Sequence, residues 1–289
     1  MNEIKKALFG TAGNPMRFYE EGCKASVEMP NWLAQKGLDA YEYSAGRGVK
    51  LKEETANAIG KQARLNNIKL SIHAPYFINL AATDAEQKLK NIDYILSSVN
   101  AATQLGADRV VVHPGAQGKA ERAVAFQQTQ KGLYEVVEKL TVLGLKNVKI
   151  LLETMGKKGQ IGTLNEVLEL CQMEPGFLQP VVDFGHLHAV TLGTYMQTHE
   201  YQEAFDLIGE RLGAEILQNL HVHFSKIEFT KAGEKKHWTF ADDYGPPFEP
   251  FICAVADNKL TPRVICESAG TQDRDALQMK KYYLKKLGG

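Results

Sequence analysis

The chain has 289 residues, 44% of them hydrophobic and 24% charged, and 34 Lys+Arg balance 34 Asp+Glu. This is enough apolar content for a large core, and zero net charge argues against a generally basic nucleic-acid coat while leaving a local basic surface open. The four cysteines (Cys23, Cys171, Cys253, Cys266) show no C-x-x-C spacing, the opening "MNEIKKALFG" lacks a long apolar stretch, and no run reaches membrane-spanning length, so a soluble cytoplasmic protein with reduced thiols is expected.

In chain order, the candidate strands are "KALFG" (6–10), "DAYEYS" (39–44), "IKLSIHA" (68–74), "DRVVVHP" (108–114), "VKILLET" (148–154), "QPVVDFG" (179–185), "NLHVHF" (219–224) and "PRVICES" (262–268). They recur roughly every 30–45 residues, the span of strand plus helix plus loops. Between them lie helical patterns. The stretch 84–109 places Leu89, Ile92, Ile95, Leu96 and Val99 at helical spacing and stops at Gly106. "TLNEVLELCQM" (163–173) opens with a Thr163-x-x-Glu166 capping box. Eight strand–helix repeats with near-continuous apolar strands predict an α/β chain folded as one (β/α)8 TIM barrel over residues 1–289. Neither "FGTAGNP" nor "GKKGQIG" has the G-x-G-x-x-G spacing of a dinucleotide site.

Strands three to eight each end in, or carry, a side chain that binds metals: His73, His113, Glu153, Asp183, His221 and Glu267. Side chains alternate across a strand, so Val111 with His113, Leu151 with Glu153, and Ile265 with Glu267 share a face. If the apolar member fills the barrel, the polar one lines its C-terminal mouth, where such barrels carry their sites. One histidine or one acid at a strand end is usually structural, but six in register are poorly explained as helix caps. His186, on the loop leaving strand six, and His237, in the long loop after strand seven, join the set. His223 shares a face with His221 and is a candidate to support the ligands from behind. His188 has no assigned role, and His199 reads as a surface residue. Mixed histidines and carboxylates suit Zn²⁺ or Mn²⁺, and so many ligands imply two or three ions. A multinuclear site points to phosphate-ester hydrolysis.

The chain resembles the endonuclease IV family of apurinic/apyrimidinic endonucleases, within the xylose-isomerase-like barrels. The likeness runs through "SIHAPYFINLA", "VVHPG", "LLETMGKKGQIGTL", "VVDFGHLHA", "HVHFSK", "KKHW" and "VICES". It implies zinc ligands at His73, His113, Glu153, Asp183, His186, His221, His237 and Glu267. Glu153 would bridge two ions, and Asp183, His221 and Glu267 would complete the second ion's shell. The family's third ion uses an Asp-x-His pair, but Lys235 stands two residues before His237 here. Glu234, Asp242 or Asp243 would replace the acid, or the third site is weak or absent. "ETMGKKG" also departs from the family's Glu-Asn-Thr-Ala-Gly.

The resemblance implies a zinc-dependent hydrolase of base excision repair that cleaves damaged double-stranded DNA 5′ to abasic sites through metal-activated hydroxide. A monomer is expected, with no membrane partner. Glu153 and Glu267 would be the catalytic residues, fixing the ions. Arg47 and Tyr76 would enter the DNA, and Lys157, Lys158, Lys226, Lys235 and Lys236 would contact phosphates. The rival expectation is a sugar isomerase or epimerase holding a single ion through Glu153, Asp183, His221 and Glu267. A third is a barrel that binds nucleic acid or metal without turnover.

Overall fold

The computed structural model describes residues 5–288. It begins with β1 (Leu8–Ala12), α1 (Met16–Glu20), α2 (Met29–Gln35), β2 (Ala40–Ser44), α3 (Glu53–Leu65), β3 (Lys69–His73) and α4 (Ala85–Leu105). β4 (Arg109–Val112), β5 (Gly115–Ala116), α5 (Arg122–Val142), β6 (Lys149–Glu153), β7 (Gln160–Ile161), α6 (Leu164–Met173), β8 (Leu178–Asp183) and α7 (Phe184–Val190) follow. The chain continues through α8 (Thr198–Leu212), α9 (Ala214–Gln218), β9 (His221–Phe224), β10 (Lys226–Thr230) and β11 (Gly233–Trp238). It closes with α10 (Phe248–Asp257), β12 (Arg263–Cys266) and α11 (Gln272–Lys286).

Eight strands close in the order β1-β12-β9-β8-β6-β4-β3-β2, all parallel, so the fold is the expected (β/α)8 barrel. β5 with β7, and β10 with β11, form small antiparallel pairs outside it. No helix among the described residues is long and apolar enough to cross a membrane.

The helix stop expected at Gly106 and the capping box expected at Thr163 are both present. Asp84 caps α4 by accepting from Gln87 N at 2.8 Å, and Gly106 ends it in the left-handed region at φ 72°. Thr163 and Glu166 form the capping box of α6. Two loops are more ordered than the sequence suggests. His186 lies within α7 rather than on a loop, and His237 lies on β11, in a hairpin that folds back over the barrel mouth.

Gly10 is needed where β1 meets β2, because a Cβ there would sit 2.0 Å from the Ala40 carbonyl oxygen. One side of the lumen is apolar, with Val111, Leu151 and Val181 packed together. The opposite side is polar, with Glu42, Ser71, His221 and His223 all buried. Outside the strands, Phe184 packs on Tyr201 at 4.9 Å and on Phe251 at 5.3 Å, and Phe224 stacks on Phe251 at 5.2 Å. Burial of Phe184 contributes roughly 1.5–3 kcal/mol and pins the start of α7, the helix that carries His186.

The loop between β6 and α6 borders the barrel mouth, and one carboxylate organises it. Glu166 accepts from Gly162 N and Thr163 N, both at 2.9 Å, and from Arg122 at 2.7 Å. Arg122 in turn donates to the carbonyls of Lys158 (2.9 Å) and Gln160 (3.0 Å). Burial alone would raise the Glu166 carboxyl, but Arg122 and the two N–H groups outweigh it and hold the group below the ordinary range. A carboxyl depressed in this way stabilises the fold above its unfolded value and loses that contribution as pH falls through the folded value. Glu166→Gln is therefore expected to lower stability by about 1–2 kcal/mol at neutral pH. The gap between the two melting temperatures should close as pH falls below the ordinary glutamate range and the carboxyl protonates. Thermal melts of both proteins from neutral pH to below that range check this, and a gap independent of pH would refute it.

Candidate metal centre

The C-terminal strand ends converge on a cavity of about 360 Å³ lined by His73, His113, Glu153, His186, Glu234, His237 and Glu267. Three groups, each with all donor atoms within 4.8 Å of one another, together take in these ligands, and a fourth, His73 with His223 and Glu267, overlaps the first two. The first is His73, His113 and Glu153. The second is Glu153, Asp183, His223 and Glu267. The third is His186, Glu234 and His237.

Glu153, 1% exposed at the end of β6, links the groups. Its Oε2 lies 3.1 Å from both His73 Nε2 and His113 Nε2. Its Oε1 lies 3.1 Å from His223 Nδ1 and 3.5 Å from His186 Nδ1. Glu234 joins the third group, 3.6 Å from His186 Nε2 and 3.5 Å from His237 Nε2. Asp183 does two things at once. Its Oδ1 caps α7 by accepting from His186 N at 2.8 Å, and its Oδ2 is buried with no hydrogen-bond partner.

Most of these rings are oriented from behind. Nδ1 of His73 donates to Ala74 O at 2.8 Å, that of His113 to Tyr76 O at 3.0 Å, and that of His186 to Thr154 O at 2.9 Å. His237 Nδ1 pairs with Ser225 Oγ at 2.8 Å. In all four rings Nε2 is then left for the cavity, as outer hydrogen bonds do for metal-binding imidazoles.

The electrostatics favour a cation. Burial opposes charge on Asp183, His73, His237 and Glu234 alike. It raises the Asp183 carboxyl, with Glu267 and Glu153 adding to the rise and His186 opposing it. Burial also pushes the His73 and His237 imidazoles down, yet Glu153 beside the first and Glu234 beside the second hold each at about 9. Glu234 is held at about 2 against its own burial by His237 and His186. A buried carboxylate oxygen without a partner, among carboxylates and imidazoles that compete for protons, fits a divalent ion.

Seven of the eight predicted ligands meet here. His221 does not. It sits one layer deeper on β9, with Nε2 3.1 Å from Glu42 Oε2, and His223 occupies the place expected for it beside Glu153 and Glu267. The reason is strand length. β9 runs on to Phe224, so the residue level with the other strand ends is the second histidine of "HVHF". Of the acids offered for the position of Lys235, Glu234 is the one that reaches the site. Asp242 instead accepts from Thr239 N and Oγ1, and Lys235 points away to Glu228 at 2.6 Å.

Tyr76 lines the cavity mouth and is 60% exposed, and Arg47 is exposed next to Gly46, another lining residue. Lys157 lines the mouth as well. Lys226 is a poor phosphate contact, because its ammonium is bound to the carbonyls of Phe240 (2.9 Å) and Asp242 (2.7 Å). Lys236 lies 3.7 Å over the Trp238 ring. Glu42 was missed from sequence. The signal was an acid between two tyrosines inside a strand, facing the lumen where its neighbours pack.

Comparison with known proteins agrees with this architecture. An uncharacterized protein of Methanocaldococcus jannaschii is 30% identical over 282 residues, covering 98% of this chain and 99% of its own length. A probable endonuclease 4 of Acholeplasma laidlawii is 29% identical over 180 residues, 62% of this chain and 60% of that protein. Endonuclease IV from Thermus thermophilus superposes with a TM-score of 0.72 at 19% identity, over 98% of this chain and 99% of that one. A D-tagatose 3-epimerase-like protein superposes with a TM-score of 0.69 at 21% identity, over 97% and 98% of the two chains. At these identities the two structures share the fold alone. Residues 30–286 match the family described as the xylose isomerase-like TIM barrel, and the chain belongs to that family.

Proposed function

We propose that this protein is a zinc-dependent phosphodiesterase of DNA repair that cleaves double-stranded DNA on the 5′ side of abasic sites. The observation that carries this reading is the number of donors. Glu153, Asp183, His223 and Glu267 suffice for one ion, and His73, His113, His186, Glu234 and His237 form two further groups around the same cavity. Zn²⁺ suits this mixture of imidazole and carboxylate, with Mn²⁺ the alternative. Ions held there supply Lewis acidity toward phosphoryl oxygens and lower the pKa of water.

The chain's own residues supply placement. Glu153 and Glu267 set the spacing of the groups, and Asp183 is fixed by its cap to α7. Tyr76 and Arg47, both exposed, are proposed to meet DNA where a missing base has already weakened the stack. Lys157 is the cation best placed for a flanking phosphate. The four free thiols suit a reducing cytoplasm. The protein is proposed to act there as a monomer.

A second reading has its own support. The group Glu153, Asp183, His223 and Glu267 is complete for a single ion, and a cavity of about 360 Å³ would admit a monosaccharide. That reading is a sugar isomerase or epimerase, with two carboxylates beside the ion to move a proton next to a carbonyl.

A nicking assay on duplex DNA with one abasic-site analogue separates the two. Cleavage 5′ to the lesion should vanish with chelator, and Glu267→Gln should lower kcat/KM at least about a hundredfold. Intact DNA with the metal-loaded protein, together with interconversion of ketoses, would transfer the assignment to the epimerase reading. Inactivity on both would leave a binding protein.

The third donor group can be tested by itself. A Cβ at Gly156 would lie 2.7 Å from both Glu234 Cβ and His186 Cδ2, so the glycine is what lets these two residues close together. Gly156→Ala is expected to reduce the number of zinc ions retained after dialysis, counted by elemental analysis, with the barrel still folded by circular dichroism. An undiminished count would remove the third group from the metal centre.

A further inference from the structure

The four histidines that turn Nε2 to the cavity have backbone carbonyls or Ser225 behind them. His223 is turned the other way. Its Nδ1 faces the cavity, 3.1 Å from Glu153 Oε1 and 3.5 Å from Glu267 Oε1. Its Nε2 points down the barrel, 2.9 Å from Glu42 Oε1. That contact is off the line of a good hydrogen bond, and neither buried atom has another partner.

Glu42 is fully buried on β2 and is itself held in place. Its Oε2 accepts from Ser71 Oγ at 2.8 Å and lies 3.1 Å from His221 Nε2. On the far side of His221, Arg109 Nη1 lies 3.4 Å from Nδ1. A guanidinium only donates, so His221 Nδ1 accepts, and the ring carries its proton on Nε2, aimed at Glu42. Glu42 Oε1 is then the acceptor that faces His223 Nε2.

We propose that Glu42 is a positioning residue: it keeps the proton of His223 on Nε2 and so presents bare Nδ1 to the ion shared with Glu153, Asp183 and Glu267, while Ser71, His221 and Arg109 fix Glu42 from below. The carboxylate does for His223 what backbone carbonyls do for His73, His113 and His186. It has to come from a side chain because β9 runs past His223 along the barrel wall, and the space beneath the ring is the lumen. A separate cation held by Glu42, His221 and His223 is disfavoured. It would have one carboxylate and would lie against the Arg109 guanidinium.

The inference rests on the metal-binding part of the proposed function and is indifferent to the substrate. The test is Glu42→Gln, which keeps the shape but replaces one acceptor oxygen by a donor, so either His221 or His223 faces an N–H group. Zinc affinity is measured by competition with a chromophoric chelator. The ring protonation of His223 is read from two-bond ¹H–¹⁵N spectra of zinc-loaded, histidine-labelled protein. The expected result is about 10–100-fold weaker binding of one ion, as for other outer carboxylates, with the other ions retained. In wild type the His223 proton should sit on Nε2, and in the variant the two ring nitrogens should no longer be cleanly distinguished. Wild-type affinity and wild-type protonation in the folded variant overturn the proposal. If Glu42→Gln does not fold, Ser71→Ala replaces it. A loss in the same direction of less than about tenfold supports the inference, and unchanged affinity overturns it. Failure of wild type to bind zinc at all would instead overturn the metal reading itself.

Discussion

The site depends on a single shared carboxylate. Glu153 is almost wholly buried, and each of its two oxygens faces two imidazoles: His73 and His113 on one side, His223 and His186 on the other. A carboxylate taken out of water is costly unless cations or donors surround it. Here the surroundings come from several elements, and they meet because β3, β4, β6, β8 and β9 are successive neighbours in the closed sheet. The residue after it completes the joint. Thr154 Oγ1 accepts from Asp183 N at 2.9 Å, and Thr154 O receives His186 Nδ1. A displacement of the end of β6 would therefore move Glu153, Asp183 and His186 together, and the strand below is held by Leu151 packed against Val111 and Val181.

The same barrel has a polar seam running beneath that centre. From the N-terminal face upward it passes through Asp108, Arg263 and Arg109, then His221, Glu42 and His223. Arg263 is 6% exposed and is held by Asp108 at 2.9 Å and by the Leu70 carbonyl at 2.9 Å. An all-apolar lumen would be the more stable filling for a barrel of this kind, since desolvating ions often costs more than their pairing returns. The apolar half, built from β4, β6 and β8, supplies packing. The polar half, built from β2, β3, β9 and β12 with Arg109 at the start of β4, supplies orientation to the histidine above it. The molecule thus gives up part of its core to hold one imidazole in one tautomer.

Much of this was legible in the sequence because barrels write their chemistry at fixed places. The eight apolar runs gave the strand count, and the alternation of Val111 with His113 and Leu151 with Glu153 gave the facing of the ligands. Gly106 gave a helix stop and the Thr163–Glu166 box a helix start, since both are local signals carried by residues close in sequence. The choice between His221 and His223 was not legible. Both share a face, and only the height of β9 against its neighbours decides which reaches the mouth; in the sheet, His223 pairs with Asp183 and Ile265. Glu42 was hidden for a related reason. It lies in the middle of β2 and not at its end, and its partners are distant by 29 residues for Ser71 and 179 for His221.

The third donor group shows how a change in sequence can be absorbed by a change in backbone. In a regular strand, residues two apart share a face, so Lys235 would be the residue beside His237, and Glu234 would point away. The β10–β11 hairpin is not regular there. Glu228 pairs with Lys236 and Phe229 pairs with Glu234, so Lys235 is an extra residue opposite the step between them. A bulge of this kind re-aims the side chains that flank it. Glu234 is turned in toward His186 and His237, while Lys235 turns out to Glu228. The hairpin is anchored where this matters, since Glu234 N donates to Gly156 O at 2.7 Å. Gly233, at φ 106°, sets the turn, and no side chain at 233 could fit against the Gly156 carbonyl, 2.2 Å from where its Cβ would be. Two glycines and one inserted lysine therefore place a glutamate where an Asp-x-His pair would have supplied an aspartate. Glu234 reaches both rings from there, 3.6 Å from His186 Nε2 and 3.5 Å from His237 Nε2, and presents a carboxylate charge to them.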